Sequence, residues 1–321
     1  MAARPERARG GRRILSAWRR AASVAAALLA LAGGARAGSP AWGCERPLTL
    51  SATEQDHLLR FAALVRDTLA ASGAPLALVS RSGTDLSRLG LRYSHAGVAL
   101  AQGLERPWEV RQLYYACSEG QPRLFDQGLA GFIAGTDNPR VGFVSLLLLP
   151  PEAAPLADAA LDRPRALALL GARYSANAYP FDTRFQNCNQ WVAELIASAH
   201  GAASREQAQA WLRAQGYAPE PVRGTPWLML AAHAVPWVHF GDQPPELLAQ
   251  NAVQTSLPDS VEALARQQWP GARRIELCHG PQGLLVREDG GHLAEGCEPR
   301  PGDRLQRWDD GAGPLSRAPG S

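Results

Sequence analysis

The sequence predicts an α+β fold, with an antiparallel sheet packed against a cysteine-bearing helix and a small α+β C-terminal extension after it. Three observations support this. Apolar, β-prone runs occupy residues 95–101, 108–115 and 141–149, bounded by turn residues. A helical pattern opens at Cys188, with Trp191, Val192, Leu195, Ile196 and Ala199 at its apolar positions. Beyond Gly201 the chain becomes rich in proline and tryptophan before a further helix and two strands.

Residues 1–37 read as an export leader. They hold Arg4, Arg7, Arg9, Arg12, Arg13, Arg19, Arg20 and Arg36 against one acid, Glu6, then an apolar run from Ala21 to Ala32. Ala35-Arg36-Ala37 forms a cleavage site before Gly38. Losing these eight of the 33 basic residues and one of the 30 acidic ones takes the formal charge from +3 to −4. A nucleic-acid partner then has no electrostatic support. The apolar run is shorter than the roughly 20 residues that span a bilayer. The mature chain is therefore expected in the periplasm or the medium, with no transmembrane segment.

Ser51-Ala-Thr-Glu54 predicts a capping box opening a helix with Leu58, Phe61, Val65 and Leu69 on one side, ended by Gly73. Residues 76–79 form a short apolar strand, and a loop from Gly83 to Gly90 leads to the strand of His95. The continuous apolar character of 141–149 makes that strand central. Residues 153–170 are helix-prone but broken by Pro155 and Pro164, and 174–186 link them to Cys188. A first domain would thus occupy 38–201. Residues 202–301 would form the extension, with helices at 205–215 and 259–268 and strands at 274–278 and 283–287. Residues 302–321 have little to bury and are expected to be disordered.

Five cysteines occur. In an exported chain four of them can pair in three ways, of which Cys278 with Cys297 and Cys44 with Cys117 is favoured, leaving Cys188 free. Cys278, His279, His292 and Cys297 offer two thiols and two imidazoles. Adjacent Cys278 and His279 point oppositely in a strand, so a disulfide is favoured over zinc. No metal or cofactor is expected. The chain has no lysine and hence no phosphate loop of the Gly-Lys type, and it has no Gly-x-Ser-x-Gly elbow.

Arg92-Tyr-Ser-His95-Ala-Gly-Val-Ala-Leu100 and Gln186-Asn-Cys188-Asn-Gln-Trp191 carry the candidate chemistry. A thiol in the first turn of a helix feels the positive end of the macrodipole, and a nearby imidazole can take its proton. A strand-borne His before a helix-borne Cys resembles the circularly permuted NlpC-type papain-like fold, the branch of lecithin retinol acyltransferase and bacterial lipid amidases. The chain as a whole also resembles an uncharacterised bacterial secreted family, domain of unknown function 2145. The resemblance implies a third residue, one strand after the histidine, that orients the imidazole. Glu109 is the expected residue, while a one-residue slip in register nominates Gln112. The implied function is an exported cysteine hydrolase or acyltransferase acting on cell-wall peptide or lipid acyl substrates through Cys188, His95 and Glu109. The same fold as a non-catalytic cell-envelope binding module is the alternative.

Overall fold

The computed structural model describes residues 50–318 apart from 104, 106, 289 and 311–314. The expected leader and Cys44 lie outside the described residues. In chain order the first half comprises α1 (Ala52–Ala71), β1 (Leu76–Arg81), β2 (His95–Leu100), β3 (Glu109–Ala116), β4 (Gln121–Gly128), α2 (Leu129–Ala134) and β5 (Gly142–Leu149). Then come α3 (Ala154–Leu161), α4 (Arg163–Ala168), α5 (Cys188–Ala199), α6 (Arg205–Ala214), β6 (Val222–Arg223), α7 (Pro226–Ala232), α8 (Pro245–Ala249), β7 (Ala252–Val253) and α9 (Pro258–Gln268). The last strands are β8 (Arg273–Gly280), β9 (Gly283–Arg287), β10 (Arg304–Arg307) and β11 (Ser316–Arg317).

Nine strands form one antiparallel sheet in the order β11-β10-β9-β8-β5-β1-β2-β3-β4, and β6 with β7 forms a small separate ribbon. The run Gly-Phe-Val-Ser-Leu-Leu-Leu-Leu of β5 is buried throughout and therefore sits between two neighbours. Alternation along the strands builds two cores. Leu78, Val98, Leu113 and Leu147 pack with Leu156 of α3, Cys188, Trp191 and Ile196 of α5, Leu212 of α6 and Leu264 of α9. Val79, Ala99, Val110 and Leu146 pack with Phe61, Val65 and Leu69 of α1 and Phe132 of α2. Each large aliphatic side chain fully buried this way stabilises the fold by about 1.5–3 kcal/mol.

The local signals act as expected at several ends. Ser51 Oγ accepts from the Glu54 N–H and the Glu54 carboxylate returns a bond to Ser51, so α1 starts in a capping box. Asp162 ends α3 and caps α4 by accepting from the Arg165 N–H at 3.2 Å, with Pro164 in the first turn. β4 went unforeseen because Gln121-Pro-Arg-Leu-Phe-Asp-Gln-Gly reads as a turn. The full-length pairing with β3 overrides that composition.

The division drawn at residue 201 does not divide the sheet. β8 pairs with β5 along Gly142–Leu148, and its fully buried Glu276 accepts from Tyr93 Oη, Arg92, Arg274 and the Leu293 N–H. Arg92 and Tyr93 directly precede β2, so this cluster ties the later strands to the histidine strand. The tail is likewise not structureless, since β10 and β11 lie within 302–321. Its few apolar side chains suffice because β9 offers a free edge: Leu305 is buried, Trp308 stacks on His57 at 3.6 Å, and Asp303 pairs with Arg287.

Cys278 and Cys297 form a disulfide across 19 positions, as favoured. Cys117 is also disulfide-bonded, and the partner expected for it, Cys44, lies outside the described residues. No helix among the described residues is long and apolar enough to cross a membrane, and the disulfide suggests an oxidising compartment. Replacing Cys278 and Cys297 together by serine is expected to cost about 2–4 kcal/mol, read as a lower urea midpoint. An unchanged midpoint would mean that the buried packing around Tyr93, Phe143 and Leu285 holds these strands without the cross-link.

Candidate active site

Cys188 is the first residue of α5 and the only free cysteine among the described residues. Asn187 makes the helix start rigid. Its Oδ1 accepts from the Gln190 N–H at 2.7 Å, while its Nδ2 donates to Ala176 O, Thr255 Oγ1 and Ser256 O. Inside the helix, fully buried Glu194 accepts from Arg205 Nε at 2.9 Å, Gln186 Nε2 at 2.5 Å, Gln190 Nε2 at 3.2 Å and Gln209 Nε2 at 3.1 Å. Arg205 also donates to the carbonyls of Thr183 and Phe185 and so fastens the linker that delivers Cys188.

The sulfur lies over the beginning of β2, 4.0 Å from Ser94 O. The N–H groups of Asn189, Cys188 and Ala96 favour its anion, as does Arg81, but burial outweighs them and pushes the thiol up to about 11. The macrodipole reading of a thiolate near neutral pH is corrected here. A helix end contributes about 0.3–1 kcal/mol at an exposed site, less than the cost of burying a charge.

His95 begins β2, opposite Arg81 of β1. Its Nε2 bonds Gln112 Oε1 at 2.5 Å, and Gln112 Nε2 donates to Gln127 Oε1 at 2.6 Å. That chain of bonds makes Nε2 the protonated ring nitrogen and leaves Nδ1 as the basic one. The imidazole lies beside Phe132 of α2, with ring centroids 5.6 Å apart. Burial, then the positive charge of Arg81, holds it down to about 3. The sulfur thus lies against the backbone of β2 on the face of Val98, the imidazole is turned to the face of Ala99 and Phe132, and no hydrogen bond among the described residues joins the two.

Glu109 does not orient the imidazole. It pairs in register with Leu100, at the far end of β2, and its carboxylate accepts from the Glu105 N–H at 3.1 Å. Alternation places Gln112 with Val110, on the face that His95 shares with Ala99. The register slip considered from the sequence describes the observed partner. Arg81 was missed altogether, although a charge ending the apolar run Leu-Ala-Leu-Val-Ser was a visible signal. Among the described residues no cluster of three or more His, Cys, Asp or Glu side chains could hold a metal ion. Cys278 and His279 point to opposite sides of β8, the cysteine into its disulfide and the imidazole against Phe61 at 4.9 Å.

The buried imidazoles carry a consequence for acid stability. His95 titrates at about 3 and His279 at about 4 in the fold, against 6.5 for an ordinary histidine. The unfolded chain therefore takes up protons first, and stability falls as the pH drops from about 6.5 toward those folded values. Each group contributes at most about 1.4 kcal/mol per pH unit in that window. The urea midpoint should decline between neutrality and pH of about 4, and His95→Gln should flatten the decline. A midpoint independent of pH in this range would refute the neutral assignment.

Fold and site together define an α+β protein in which the one free thiol among the described residues starts a capped helix, its sulfur against the strand that carries the histidine. The chain belongs to a bacterial family described as uncharacterized protein conserved in bacteria (DUF2145), whose pattern matches residues 68–264. That span contains Arg81, His95, Gln112 and Cys188 and ends within α9, before β8. No curated protein and no solved structure matches the chain.

Proposed function

We propose that this protein is an exported cysteine hydrolase or acyltransferase of the permuted papain-like kind, acting on an amide or ester of the cell envelope. One observation carries the reading: the only free thiol among the described residues is the first residue of α5, with its sulfur against the backbone of β2. The N–H groups that a first helical turn leaves without intrahelical partners suit an anionic sulfur and, after attack, a carbonyl oxyanion. Cys188 Sγ bonds to the substrate carbonyl carbon, and His95 Nδ1, once the imidazole turns from the face of Phe132 to that of the sulfur, accepts the thiol proton and returns it to the departing amine or alcohol. Water, or an acceptor alcohol or amine, then takes the acyl group from the thioester. Gln112 replaces the expected carboxylate as the group that fixes the imidazole. Apart from the leader, the disulfide supports export, and location near the wall favours a peptide substrate over a lipid one.

A second reading has its own support. Both reactive groups are neutral and buried at rest, as in a binding module that uses the fold without chemistry. An activated ester such as p-nitrophenyl acetate separates the two. The hydrolase should acquire one acetyl mass on Cys188, removable by hydroxylamine, whereas a folded protein that never acquires it is the binding module. Within the same assay, Gln112→Ala should slow acylation by about tenfold to a hundredfold, and Glu109→Gln should leave it within about twofold. The reverse order would restore the carboxylate as the orienting group.

A further inference from the structure

We propose that α7 and the turn after it form a bilayer-docking segment, which seats the protein on a phospholipid surface close to the start of the Cys188 helix. The proposal does not depend on the chemistry of the thiol.

Residues 224–241 contain no Asp, Glu, Lys or Arg, while Arg223 and Asp242 bound them. Within this stretch α7 reads Pro-Trp-Leu-Met-Leu-Ala-Ala, and none of its residues is buried. Trp227 is 77% exposed, Leu230 61% and Leu228 42%. A helix this short is marginal in water, and no core stands behind it. Local bonds hold it instead. Thr225 Oγ1 accepts from the Leu228 N–H at 3.2 Å, with Pro226 in the first turn. The His233 ring bonds Met229 O at 2.8 Å and stacks on Phe240 at 4.4 Å. Both ends are fastened to the body of the protein. The Gly224 N–H donates to Asn251 O at 2.8 Å, the His239 N–H donates to Ser175 Oγ at 3.0 Å, and Asn177 Nδ2 donates to His239 O at 2.8 Å. The fold therefore presents this apolar surface ready-formed.

The occupant follows from size and chemistry. Trp227, Leu228 and Leu230 together expose roughly 400 Å², enough to mark an interaction site but about half of what a standard protein interface takes from each partner. A second copy of the chain would find too little area here. Protein partners are also fixed in register by a polar, charged rim, which this stretch lacks. A bilayer needs no directional partner, and it takes up tryptophan and leucine side chains at the boundary of headgroups and acyl chains. Ala176 connects the segment to the site: its N–H donates to Trp237 O at 2.8 Å, and its carbonyl accepts at 3.1 Å from Asn187, the cap of the Cys188 helix.

The test is co-sedimentation of the full chain with phosphatidylcholine vesicles at low and high salt. Wild type should bind, with a partition coefficient that salt changes by less than about twofold, because the segment carries no formal charge. Trp227→Ser combined with Leu230→Ser should lower the coefficient about tenfold or more, whereas Trp227→Phe should stay within a few-fold of wild type. Leu59→Ser, at an apolar residue of α1 that is likewise 61% exposed, should leave it unchanged. All variants keep residues 1–37, so any contribution of the leader is common to them. None of the substituted side chains is buried, and circular dichroism checks the fold. Wild type that stays in the supernatant would overturn the proposal, as would a serine pair that binds like wild type or a Leu59→Ser variant that loses as much. A dimer seen by sedimentation velocity without vesicles, and abolished by the serine pair, would overturn it in favour of a second copy.

Discussion

Cys188→Ala is expected to abolish iodoacetamide labelling of the folded protein and every trace of acyl transfer, while the far-ultraviolet spectrum stays that of the wild type. Both losses follow from one atom. Cys188 is the only free cysteine among the described residues, and the proposed thioester forms on its sulfur. The fold survives because alanine keeps the helix start, which Asn187 caps through side-chain bonds that do not involve the thiol. Removing one buried sulfur should cost about 1 kcal/mol, typical of a small core truncation. The measurement is intact mass after alkylation, paired with the acetyl-adduct assay. Acyl transfer that persists in the alanine variant would end the cysteine mechanism. Labelling that persists would show a second reduced thiol, and the disulfide assignment would have to change.

Glu194→Ala is expected to have the largest effect on stability. The carboxylate is fully buried, and burial raises its pKa while Arg205 and its amide neighbours lower it. Alanine would leave the Arg205 guanidinium, 6% exposed as a residue, without its counter-charge, and would strip partners from Gln186, Gln190 and Gln209. Breaking a buried pair from one side costs about 3–5 kcal/mol, a large share of the 5–15 kcal/mol that holds a typical domain together. The urea midpoint should fall steeply. Removing both charges, as Glu194→Leu with Arg205→Met, should recover much of the loss because no orphan charge remains. Equal midpoints for the alanine variant and wild type would mean that water compensates Arg205. The network also bears on function. Arg205 holds Thr183 and Phe185, so its loss should loosen the segment that presents Cys188.

Much of the fold is legible along the chain wherever a pattern repeats within one element. The capping box before α1, the unbroken apolar run of β5, and the proline that separates α3 from α4 each act through neighbours a few residues away. The free thiol was legible too, through cysteine parity and the apolar stripe behind residue 188. β4 and the tail strands were not, because their polar composition is overruled by strand edges that only the assembled sheet supplies.

The amino-acid order by itself determined which element bears the histidine and which the cysteine, because strand and helix periodicity are local properties of the chain. Tertiary structure alone decided that Gln112 holds the imidazole, that Arg81 is buried against Phe132, and that both the thiol and the imidazole are neutral at rest. The physical reason is that strand register and desolvation are set by what packs across a sheet, and a one-residue difference in register moves a side chain from one core to the other.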